Sequence, residues 1–143
     1  MLTAHILSAQ QMKPTAPGTA GDPVWQGVVR LSDGRSFITD GGLALDVAFA
    51  KPATLPAREI PGKVLETYLN AERKDEYGLS DLTPVATGKT FTTPSGIPLN
   101  ATYIVYLRRT LSSSVRFRVG GELDPIGIVA SGKVVGVLMP VRK

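Results

Sequence analysis

Two apolar runs near the end of the chain constrain its fold more than anything else in the sequence. DPIGIVA (124–130) and KVVGVLM (133–139) are rich in β-branched residues and are separated only by Ser131-Gly132. Runs of this kind form strands, and their lack of polar alternation suits strands buried inside a sheet. A Ser-Gly step between them is a turn signal, so the pair reads as a hairpin. The second run continues almost to Lys143, giving way only to Pro140 and a basic pair.

The chain has 143 residues, which fits one domain with an ordinary core. It contains no cysteine, so disulfides, thiolate metal sites and a thiol nucleophile are excluded. The single histidine, His5, lies in a terminal stretch and leaves little for acid–base catalysis or metal binding. No run approaches the roughly 20 apolar residues of a membrane span, and no leader-like pattern opens the chain. A soluble protein of a reducing compartment is expected.

The formal charge is +4 and it is unevenly spread. Residues 1–70 balance six basic against six acidic groups, whereas residues 101–143 carry seven basic side chains and two acidic ones. A basic region favours phosphate backbones through counterion release.

Along the chain, residues 1–23 read as an N-terminal arm or loop, rich in Pro, Gly and Ala near its end. VWQGVVRL (24–31) and SFITD (36–40) flank Asp33-Gly34, which tolerates the positive φ of a hairpin turn. LALDVAFA (43–50) reads as another strand interrupted by Asp46. Pro61 suits the start of a helix, and Val64, Leu65, Tyr68 and Leu69 then share one apolar face. Short strands and turns follow from Tyr77 to Leu99. NATYIVYLRRTL (100–111) is ambiguous: Asn100 is a good N-cap, but Tyr-Ile-Val-Tyr also favours a strand. VRFRV (115–119) alternates strictly, with Arg116 and Arg118 on one face. The halves, about 24–80 and 81–143, each read as strands, a helix and more strands. They point to one α+β domain over 24–143.

Catalytic motifs fail on inspection. Gly88-Lys89-Thr90 lacks the glycine that a phosphate loop needs five residues before Gly88, and Thr83 stands there. Asn100-Ala101-Thr102 is a glycosylation signal only in a secreted protein. Asp33, Asp40, Glu122 and Asp124 all lie beside turns, where capping explains them. The chain is read as a non-enzyme with no cofactor and no metal.

The ending Met139-Pro140-Val141-Arg142 resembles the C-terminus of the bacterial DNA polymerase sliding-clamp family. The similarity extends back through VRFRVGGELDPIGIV, and earlier to Thr39-Asp40-Gly41 and the Pro-led stretch REIPGKVLETYLNA. It covers roughly 24–74 and 97–143. Gly42, Leu43 and Ala44 stand where that family has His, Arg and Leu. The resemblance implies a clamp-like domain of two strand-helix-strands units, with antiparallel sheets and two helices on one face. It makes 100–111 a helix. It implies a processivity factor of DNA replication, cytoplasmic and nucleoid-associated, joined as a homo-oligomer into a ring of about six around duplex DNA. DNA would be met by Lys63, Arg73, Lys74, Arg108 and Arg109 without reading bases. A pocket for peptides of a polymerase or loader would draw on Thr39, Gly41, Val137, Met139, Pro140 and Val141. Two alternatives stand beside this: a monomeric clamp-derived interaction module, and an unrelated structural or assembly protein.

Overall fold

The computed structural model describes residues 23–141; the expected arm before Pro23, including His5, and the basic pair Arg142 and Lys143 lie outside the described residues. The described chain is an α+β fold. Strands β1 (Gly27–Arg30), β2 (Ser36–Thr39) and β3 (Leu43–Asp46) form an antiparallel meander. The Asp33-Gly34 turn joins the first two, with Gly34 at φ 95°. Helix α1 (Val47–Ala50), β4 (Glu59–Ile60), helix α2 (Lys63–Asn70) and β5 (Asp75–Gly78) follow. After a 3-10 turn come β6 (Thr83–Pro84), β7 (Thr90–Thr92), β8 (Pro98–Asn100), helix α3 (Ala101–Leu111), β9 (Arg116–Val119), β10 (Ile126–Ala130) and β11 (Lys133–Leu138).

Eight strands form one sheet in the order β4-β1-β2-β3-β11-β10-β9-β5, and β6-β7-β8 form a second, smaller one. The apolar runs of the terminal hairpin lie in the interior of the large sheet, as their composition demands. Ser131 and Gly132 both take positive φ (53° and 77°), matching the right-handed twist of the hairpin they close. The two halves of the chain meet at the pairing of β3 with β11, but they are interleaved: β5, from the first half, pairs with β9 at the far edge.

Two expectations change. Asp46 does not interrupt a longer strand; it ends β3 and caps α1, its Oδ1 accepting from the Ala48 N–H at 3.0 Å. The two longer helices also do not share a face. Successive residues of a strand point to opposite sides. On one side Leu43, Leu45, Phe117, Ile126, Ile128 and Leu138 pack with Tyr103, Ile104 and Leu107 of α3. On the other, Val29, Phe37, Ala44 and Val137 pack with Leu65 and Leu69 of α2. The small sheet joins the α3 side through Leu82, Ile97 and Leu99.

Residues 100–111 are helical because local and tertiary preferences agree. Asn100 Oδ1 accepts from the Thr102 N–H at 2.8 Å, and the Tyr103, Ile104, Tyr106 and Leu107 side chains are all buried. Helix α2 begins at Lys63, two residues after Pro61. Its Glu66 carboxylate accepts from the Ser32 N–H at 2.7 Å, which ties the helix to the β1–β2 turn and lowers the Glu66 pKa. Leu107 is fully buried between α3 and the sheet. Leu107→Ala is expected to cost about 2–5 kcal/mol of stability, read as a lower urea midpoint with an unchanged slope.

Candidate functional site at the end of the central strands

The Thr39-Asp40-Gly41-Gly42 segment forms the β2–β3 turn, and its own side chains hold it. Thr39 Oγ1 accepts from the Gly41 N–H at 3.1 Å. Asp40 Oδ1 accepts from the N–H groups of Gly42 (3.1 Å) and Leu43 (3.0 Å). Gly41 sits at φ 101°, a conformation that strains any residue with a Cβ. The other Asp40 oxygen, Oδ2, accepts from the Tyr103 hydroxyl at 2.6 Å, linking this turn to α3.

Asp40 is 6% exposed, and burial raises its pKa against the pull of the Tyr103 and backbone hydrogen bonds. Burial, reinforced by the neighbouring carboxylate, also pushes the Tyr103 pKa up, so the phenol remains a neutral donor. The arrangement is structural. It satisfies a buried carboxylate with three donors.

The end of β11 arrives beside this turn. The Met139 N–H donates to the Gly42 carbonyl at 2.9 Å, and the Val141 N–H donates to the Pro98 carbonyl of β8 at 2.9 Å. The tail therefore bridges the large and small sheets. All six residues expected to form a peptide pocket gather here, although they come from opposite ends of the described chain. Four of the six are buried. Thr39 and Val137 are 1% and 0% exposed, and Gly41 and Pro140 are also buried. Val137 pairs with Ala44 and packs in the cluster beneath α2. Met139 and Val141 are half-exposed and form the accessible part.

The expected DNA contacts are scattered. Lys63 and Lys74 are exposed on or just beyond α2, and Arg108 and Arg109 are exposed on α3, on the other side of the sheet. Arg109 lies over the Tyr106 ring, 5.8 Å from its centroid. Arg73 is half-buried, and its guanidinium donates to the carbonyls of Pro125 (2.8 Å), Ala71 (3.1 Å) and Tyr68 (2.5 Å). It ties the chain after α2 to the start of β10.

Sequence reasoning missed Tyr103 as the partner of Asp40 and Pro98 as the anchor of the tail. An aromatic at the third position of a well-capped helix was the only available signal for the first. Among the described residues, no group of His, Cys, Asp and Glu could hold a metal ion, and no helix is long and apolar enough to cross a membrane. No family model matches the sequence, and neither the curated proteins nor the solved structures yield a match.

Tyr103→Phe leaves the Asp40 carboxylate short of a donor and is expected to cost about 1–3 kcal/mol at neutral pH. The loss of that donor raises the folded-state pKa of Asp40 further above its unfolded value. The variant therefore binds more protons when folded, and its deficit narrows as pH falls through the raised folded-state pKa values of Asp40, above the ordinary 3.8. Denaturation midpoints of the two proteins across that range check the sign.

Proposed function

We propose that this chain is a clamp-like accessory protein of DNA replication that acts by capturing short peptide segments of its partners. One observation supports this reading most. The two segments that resemble the halves of the clamp-family peptide site, 39–41 and 137–141, lie side by side, with the Met139 N–H donating to the Gly42 carbonyl next to the β3–β11 pairing. The resemblance rests on sequence alone and made no use of that pairing. Met139 suits the role, since its flexible thioether adapts to different apolar side chains, and Val141 extends the same rim. Encirclement of duplex DNA is less well supported. A ring calls for both long helices on its inner face, and these lie on opposite sides of one sheet. Ring closure by strand pairing also calls for open edges. The outer strands here are β4, with two residues, and β5, which carries Asp75 and Glu76.

A fluorescent clamp-binding peptide from a replicative polymerase is expected to bind saturably, as read by anisotropy. Met139→Glu should weaken that binding by at least about tenfold, or ~1.4 kcal/mol. An unmodified chain that shows no saturable binding, or a variant with unaltered affinity, contradicts the reading. Light scattering across a range of concentrations should give a mass well short of the roughly six copies that a closed ring of such domains requires.

A further inference from the structure

Beyond the end of α2, the sheet face is covered by charged side chains. Residues that pair across β9, β10 and β5 on this side include Arg118, Gly127 and Glu76. A cleft of about 670 Å³ opens there, between the last turn of α2 and the β1–β2 and β10–β11 turns. Arg35, Arg73, Arg118 and Lys133 line it against a single carboxylate, Asp33, with Asn70 at the rim.

These cations are incompletely neutralised. Arg35 is paired with Asp33 at 2.9 Å. Arg118 must share Glu76 with Arg116, at 2.9 and 2.7 Å respectively. Arg73 donates to three backbone carbonyls; burial works against its charged form, the nearby charge of Asp124 favours it, and that of Arg118 opposes it. Lys133 is exposed at the turn and has no partner among the described residues. The three carbonyls hold the Arg73 guanidinium in place before any ligand arrives. Gly127 makes room for it, because a Cβ there would lie 3.1 Å from Arg73 Nη1 and 3.4 Å from its Cζ. That explains a glycine in the middle of an otherwise apolar strand.

We propose that this cleft binds a small phosphate-bearing anion, with Arg118 and Lys133 as the direct contacts and Arg73 as a fixed positive wall. Guanidinium forks match phosphate oxygens, and a dianion compensates two cations where a carboxylate compensates one. The volume falls within the range of small-molecule sites, about 300–1,000 Å³. It exceeds what one phosphate needs, so a polyphosphate or a phosphorylated small molecule is the fitting class.

The test is calorimetric titration of the full chain with pyrophosphate and with ATP, at constant ionic strength and with sodium chloride as control. Saturable binding of pyrophosphate is expected. Lys133→Gln and Arg118→Gln should each weaken it by about tenfold or more. Gly127→Ala, which makes the Arg73 guanidinium give by only a few tenths of an ångström, should weaken it less than either charge removal, and Arg109→Gln, on the opposite side, should leave it unaltered. Equal affinity for ATP and pyrophosphate makes the phosphate chain the whole ligand; tighter ATP binding assigns the site to a nucleotide. Heat signals matched by sodium chloride, or affinities that ignore both Lys133→Gln and Arg118→Gln, overturn the proposal.

Discussion

The pairing of β3 with β11 holds the molecule together. Leu43 faces Leu138, Ala44 faces Val137 and Leu45 faces Gly136 across this seam, and all six are buried. It joins strands from the two halves of the chain, and it sets the core on both sides at once. Leu43, Leu45 and Leu138 point to α3, whereas Ala44 and Val137 point to α2. A slip of one residue would exchange the two sets and leave neither helix with its partner surface. The apolar run that ends the described chain is thus a structural centre, flanked by β3 and β10.

Polar groups brace this seam at its ends. Asp40 closes the β2–β3 turn and reaches Tyr103, which ties the turn at the end of the seam to α3. The Met139 and Val141 amides continue the brace into the small sheet. At the other side, Arg73 spends three hydrogen bonds fastening the chain after α2 to β10. Buried charge of this kind is tolerated only where hydrogen bonds replace the lost water, and among the described residues no buried side-chain polar atom lacks a partner. The outcome is a braced frame with a part-exposed apolar rim at Met139 and Val141 and a cationic cleft beyond α2.

Short-range features were legible in the sequence. Asp33-Gly34, Ser131-Gly132, the alternation of 115–119 and the apolar face of α2 all depend on residues a few positions apart, and each appears where expected. Residues 100–111 stayed ambiguous because the strand preference of Tyr-Ile-Val-Tyr competes with the Asn100 cap. Burial of Tyr103, Ile104 and Leu107 against the sheet decides in favour of the helix. Asp46 looked like a flaw in a strand because a cap inside an apolar run has no periodicity to mark it. The placement of α2 and α3 on opposite faces was not legible, since it follows from the register of β3 against β11, which is non-local. The same holds for the site. Arg73 read as an outward charge because its three carbonyl partners come together only in the fold, one of them from β10's approach.

The central proposal is that the tail after β11, held by the buried β2–β3 turn, presents Met139 and Val141 as a recognition surface. Two-dimensional amide NMR of the isotopically labelled chain, titrated with a clamp-binding peptide from a replicative polymerase, tests it most directly. The account predicts progressive shifts concentrated on the amides of Gly42, Met139 and Val141, with the outer strands β4 and β5 unmoved. Shifts confined to α2 or to α3, or a spectrum that the peptide leaves unchanged, would contradict it.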